Sequence, residues 1–245
     1  DRSLRFMSRK SDSDMAVDRP DLRVTWGEVR RSLTVLKSLL PQLDSRPELL
    51  ASAFRWYAMG PNIDFTAYYE PTLEASWVKS GPFTHPLYAV PPDLRKGRPY
   101  YDRHAIDEGG ALAGRGLELA WIKSKVDAFF LQVQGSGRLA FTDGTVKHVL
   151  YGDDNNQSYV SLGRVMKERG LIPPDKVNMP TIRAYLEAHP DEVTELLDTN
   201  PSYIFFRLAD SGPLGSMGQP ITPWVSLAVD KRVYPMGAPV VFCVP

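Results

Sequence analysis

Two amide side chains, Gln132 and Gln134, stand two residues apart and run directly into Gly135, Ser136 and Gly137. Amides offer donors and acceptors together, and the glycines strip away side-chain bulk so that a ligand can approach the backbone. That combination suits a sugar better than a phosphate or a metal. The same residues also fit a core strand whose glutamines satisfy neighbouring loops, with the Gly-Ser-Gly only a turn, and the motif alone leaves both open. A second set is Tyr68, Tyr69 and Glu70, two aromatic platforms and a carboxylate that can meet a sugar ring. Tyrosines are also ordinary strand formers, and a terminal glutamate is usually solvated.

Other chemistries find little support. His85, His104, His148 and His189 are scattered, without HExxH spacing or partner cysteines, so no metal site is expected. The adjacent Asp153 and Asp154 lack the further oxygen ligands of a calcium loop. There is no GxSxG elbow, Walker A loop or dinucleotide GxGxxG. Lys plus Arg equal Asp plus Glu at 29 each, so no global field draws in nucleic acid or anionic lipid. A neutral polymer or small polar ligand stays compatible.

The elements that must position these residues follow from periodicity. Residues 1–22 are polar and without clear period, a surface lead-in. Thr25 and Glu28 form a capping box ahead of Val29, Leu33, Leu36 and Leu40 at helical spacing, and a second helix runs from Ser45 to near Gly60 with Leu50, Phe54 and Tyr57 inward. Alternation over 62–70 predicts a strand ending on Tyr68, Tyr69 and Glu70. Short strands are expected within 77–90, at 117–121 and at 126–134, with 139–141 paired to 146–151 across a TDGT turn. Their spacing favours a small barrel or sandwich. Helices follow near 159–169, 180–188 and 191–197, then strands at 202–208, 225–229 and 238–244. The Gly- and Pro-rich stretch 210–223 is a candidate functional loop.

The single cysteine, Cys243, sits in an apolar run and is expected to be a buried thiol. No apolar run reaches the roughly 18 residues of a membrane helix. The start at Asp1 suggests a processed end, and the apolar final strand suggests a sheet that continues further.

In order and surroundings, FTAYYEP (65–71), DAFFLQVQGSGR (127–138), YGDDNNQSYVSLGRVMKERG (151–170), NPSYIFFR (200–207) and GPLGSMGQPITPWVSLAVDKRVYPMGAPV (212–240) resemble the membrane-bound lytic murein transglycosylase A family. The resemblance implies an enzyme of the Gram-negative envelope, periplasmic and anchored to the outer membrane, that cleaves peptidoglycan between N-acetylmuramic acid and N-acetylglucosamine. The muramyl C6 hydroxyl attacks its own anomeric carbon, leaving a 1,6-anhydro ring, and one carboxylic acid serves as both general acid and general base. No cofactor and no metal is implied. The partners are peptidoglycan glycan strands and other cell-wall enzymes, not nucleic acid, and the protein is expected to be a monomer.

The implied fold is mainly β with α, an α+β class: a double-psi β-barrel domain, incomplete at its C-terminus, plus an inserted β-rich domain, with a groove between them lined by YYEP from one side and QGSG from the other. The barrel would combine residues 1–71 with 203–245, and 72–202 would form the insert. Tyr68, Tyr69, Glu70, Gln134, Gly135, Ser136, Gly137 and Asn155 are the implied sugar contacts. Asp230 matches the family's LAVD position and fits a supporting carboxylate beside Arg232. The general acid/base aspartate is expected beyond Pro245, in a DxGGxIKG-like segment. Ala67, Asp153 and Asn156 stand where the family commonly has glycines, which leaves the local backbone shape there open. Should the chain truly end at Pro245, it would bind glycan without cutting it. A hydrolase would need a second carboxylate, for which Glu70 and Asp64 are the strand candidates.

Overall fold

A computed structural model describes residues 1–58 and 69–241. The chain forms two compact units, Asp1–Ala67 with Leu214–Pro245, and Tyr68–Pro213.

In the first unit, α1 (Arg2–Met7) precedes the hairpin of β1 (Met15–Asp18) and β2 (Arg23–Thr25), which leads into α2 (Trp26–Leu39). The capping box forms: the Thr25 hydroxyl accepts from the Glu28 amide at 3.2 Å, and the Glu28 carboxylate accepts from the Thr25 amide at 2.8 Å. Met7, Trp26 and Val29 are buried together, with Phe6 edge-on to Trp26 at 5.8 Å. The expected lead-in therefore carries structure: Met7 packs with Trp26 and Val29, and Val17 is buried in the hairpin opposite Val24. The second helix, α3 (Glu48–Ala53), stops well short of Gly60, and Tyr57 is exposed. Two further expectations fail here. Residues 225–229 and the described part of 238–244 form no strand; no ladder partner is present for them among the described residues, and Val225 and Val241 stay exposed. Residues 62–68 of the strand expected at 62–70, and Cys243, lie outside the described residues, while Tyr69 and Glu70 are in no strand.

The second unit is built on one six-stranded mixed sheet. Its strands are β3 (Thr72–Ser76), β4 (His85–Tyr88), β5 (Glu118–Ile122), β6 (Ser136–Phe141), β7 (Val146–Asp154) and β8 (Ile204–Ala209), in the spatial order β4-β5-β3-β6-β7-β8. β3 and β6 run parallel, and the other neighbours are antiparallel. β6 and β7 make the expected hairpin at TDGT, where Asp143 accepts from the Thr145 amide at 2.8 Å. The end strands touch at one parallel bridge, Ala89 to Phe206, short of a continuous barrel ladder. β8 pairs with β7 along its length, so residues 204–209 belong to this sheet rather than to the first unit.

Helices α4 (Arg103–Asp107), α5 (Lys125–Gln134), α6 (Leu162–Glu168), α7 (Met179–Ala188) and α8 (Val193–Asp198) pack around it. The strand expected at 126–134 is α5. Ser124 caps its start, accepting from the Asp127 amide at 3.2 Å, and Gly135 ends it in the left-handed conformation at φ +75°. One side of α5, with Leu131, joins the sheet core of Ala75, Leu139, Phe141 and Val149; another, with Phe129 and Phe130, joins Met166, Leu186 and Leu197 from α6, α7 and α8. A helix surrounded this way is apolar over most of its circumference, which weakens its periodic signal. Among the described residues no helix is long and apolar enough to cross a membrane.

Candidate functional site

The helical form of α5 rearranges the amide row. Asp127, Phe130, Leu131 and Gln134 fall at 0, +3, +4 and +7, one face of a helix. This face lines a cleft of about 370 Å³ within the second unit, shared with Tyr69, Thr72 and Arg183. Gln132 points elsewhere: it is buried, its Oε1 accepting from Arg103 Nη2 at 2.6 Å. The two glutamines do not act as a pair.

Tyr69 and Gln134 are thus brought to one cleft. Tyr69 is exposed, an aromatic face available to a ligand. Glu70 sits beside it in sequence, with its Oε1 3.1 Å from His148 Nδ1 on β7. Tyr68 lies outside the described residues. Gly135, Ser136 and Gly137 lead from the cleft into β6, and Ser136 is largely buried. Gly137 has a packing reason of its own. A Cβ there would lie 2.6 Å from Leu131 Cδ1 and 2.8 Å from the Pro71 carbonyl oxygen. The Arg138 amide donates to that same Pro71 carbonyl at 2.8 Å, so the two sequence motifs are joined backbone to backbone. Gly137→Ala should cost about 1–3 kcal/mol through overpacking, read as a lower urea midpoint with unchanged slope.

Asn155 is fully buried and its side chain is committed internally. Its Nδ2 donates to the carbonyls of Tyr101 at 2.9 Å and Pro201 at 2.8 Å, and its Oδ1 accepts from the Tyr203 amide at 2.8 Å. It is a brace between three segments, not an exposed contact. Its neighbour Asn156 takes the left-handed backbone at φ +54°, which asparagine tolerates better than most residues. Asp230 belongs to the first unit, and its bonds from Arg232, the shortest 2.6 Å, hold the carboxyl down at about 2.

Sequence reasoning missed Asp127, Phe130 and Arg183. Arg183 on α7 donates from Nη1 to Asp127 Oδ1 at 2.5 Å, and its guanidinium lies 4.9 Å from the centre of the Phe130 ring. The helical spacing of Asp127 to Gln134 was the available signal; the pairing with Arg183 had none, because 56 residues separate the partners. A second cavity of about 310 Å³ on the other side of α5 is lined by Arg103, Gln132, Asp154 and Tyr159. Among the described residues no cluster of three or more His, Cys, Asp or Glu is placed to hold a metal ion.

An aromatic face, an amide and an ion pair in one cleft are the kinds of group that can stack on and hydrogen-bond a polar ligand. A model of the MltA-specific insert domain matches residues 64–207, the segment that contains the cleft. Membrane-bound lytic murein transglycosylase A of Vibrio cholerae is 39% identical over 188 residues, 75% of this chain and 50% of that protein. The structure of membrane-bound lytic murein transglycosylase from Agrobacterium tumefaciens aligns with a TM-score of 0.69 at 34% identity, covering 95% of this chain and 71% of that one. MltA of Escherichia coli with bound chitohexaose aligns with a TM-score of 0.66 at 28% identity, over 85% of this chain and 69% of that one. The chain spans about half the length of the curated relatives it matches. With the matched segment coinciding with the unit that holds Tyr69, Gln134 and Arg183, the chain belongs to the membrane-bound lytic murein transglycosylase A family.

Proposed function

We propose that this chain is the glycan-binding part of a peptidoglycan lytic transglycosylase. The whole protein cleaves the β-1,4 bond between N-acetylmuramic acid and N-acetylglucosamine. A carboxylic acid protonates the leaving oxygen, then accepts the C6 hydroxyl proton as that oxygen closes onto the anomeric carbon, and a 1,6-anhydromuramyl end results. The acid/base aspartate belongs to the C-terminal segment of the whole protein, beyond Pro245. The first unit is assigned to a double-psi β-barrel that this segment helps to build, and Asp230 to a supporting carboxylate. The protein works as a monomer in the periplasm of a Gram-negative cell, anchored at the outer membrane, on glycan strands and alongside other cell-wall enzymes.

The observation that carries this reading is the meeting of Tyr69 and Gln134, from two separate motifs, in one cleft inside the family-matched segment. Digestion of purified murein sacculi tests it, with released muropeptides read by mass spectrometry. The full-length protein should release 1,6-anhydro products and the 245-residue chain none. Release by the short chain would misplace the acid, and reducing-end products would mean a hydrolase. No release by either would leave a binding role without catalysis.

A further inference from the structure

Arg183 gives the cleft a charge that a purely neutral glycan does not need. Its side chain is 34% exposed, and its one hydrogen bond among the described residues runs from Nη1 to Asp127. A guanidinium has five N–H donors in a planar fork, so one bond leaves most of the fork unused. Phe130 lies against it at 4.9 Å and holds it in place, while Gln134 supplies the neutral donor and acceptor that hydroxyl and acetamide groups require.

From this arrangement we propose that Arg183 reads a carboxylate carried by the glycan, so that the cleft selects anionic muramic-acid-type chains over neutral N-acetylglucosamine chains. The inference rests on the saccharide reading of the same cleft. A neutral chain laid over the fork takes water from it and returns no charged partner. A carboxylate entering beside Asp127 makes a charge-assisted, bidentate contact. Asp127 then acts as a resident competitor that keeps the arginine oriented while the cleft is empty. Two sources can supply the carboxylate: the lactyl group of peptide-free muramic acid, or the stem peptide, whose attachment converts the lactyl carboxylate to an amide.

Calorimetric titration of the full-length protein in the cold with three tetrasaccharide probes separates the cases. The probes are chitotetraose, peptide-free alternating N-acetylglucosamine–N-acetylmuramic acid, and that glycan bearing stem peptides. The wild type should bind at least one anionic probe about tenfold more tightly than chitotetraose, and the probe favoured identifies the carboxylate. Arg183→Gln should abolish that preference, weakening the anionic probes by more than it weakens chitotetraose, and Arg183→Lys should keep part of it. Asp127→Asn, which removes the competitor, should strengthen anionic binding several-fold; unchanged or weaker binding by that variant overturns the proposal even if Arg183→Gln does not fold. Equal loss on all three probes would make Arg183 structural and overturn it as well. If the wild type binds none of the probes, the saccharide reading itself falls and this inference with it, whereas equal binding of all three sinks only the inference.

Discussion

Arg103→Met should destabilise the second unit by about 2–5 kcal/mol at neutral pH, since it orphans buried backbone carbonyls and takes the opposing charge from the partly buried Asp107 carboxylate. Arg103 is 2% exposed. Its Nε donates to the Asn200 carbonyl at 3.0 Å, and its Nη2 to the Ser202 carbonyl and to Gln132 Oε1, both at 2.6 Å. Nη1 lies 3.6 Å from Asp107 Oδ2, and the rings of Phe129 and Tyr203 flank the guanidinium. Burial pushes the Asp107 carboxyl above its ordinary range, and Arg103 is the chief group that opposes the shift. The sign follows. A carboxyl with a raised folded value contributes stability that is complete below the unfolded value, near pH 4, and is lost as pH rises through the folded one. Without Arg103 that loss grows, so the deficit of the variant should be largest near pH 7 and shrink toward about pH 4. Adding Asp107→Asn should recover part of the deficit, and the remainder belongs to the orphaned Asn200 and Ser202 carbonyls. Urea denaturation across pH checks this; a deficit that does not change with pH would remove Asp107 from the explanation.

Elements bounded by local signals were legible in the sequence. The Thr25–Glu28 box fixed the start of α2, the TDGT turn set the β6–β7 register, and α7 begins near the proline that marks it. What local signals could not show is set by distant partners. Phe129 and Phe130 satisfy strand propensity as well as helix packing, and only the α6–α8 shell decides for the helix. Met7 had no local reason to be buried, since it packs on Trp26 and Val29. The site divides the same way. Tyr69 and Gln134, which line the cleft, were picked out by residue type, because an aromatic and an amide near glycines suit a sugar whatever the backbone does. Arg183 and Asp127 were not, because their meaning arises only where α5 and α7 meet. Asn155 shows the converse: a polar residue in a polar loop suggests a ligand, yet its amide is spent on backbone groups at 101, 201 and 203.

That commitment makes the second large effect. Asn155→Ala should lower stability by about 3 kcal/mol or more, because two carbonyls and two amides lose their partners together. The backbone adds to the brace, the Asn155 amide donating to the Tyr203 carbonyl at 3.0 Å and its carbonyl accepting from the Tyr100 amide at 2.9 Å. Asn155→Asp separates shape from hydrogen bonding. The carboxylate has nearly the same outline and can still accept from the Tyr203 amide, but it has no donors for the Tyr101 and Pro201 carbonyls and places a charge where no cation is within hydrogen-bond reach among the described residues. It should be at least as damaging as alanine at pH 7 and recover in part as acid returns a proton to the carboxyl. Thermal and urea melts report the loss, while titration of the folded variants with chitotetraose should give wild-type affinity. A variant with an unchanged melting temperature but weakened glycan binding would reverse the assignment, making Asn155 a sugar contact and requiring the segments at 100–101 and 201–203 to open around it.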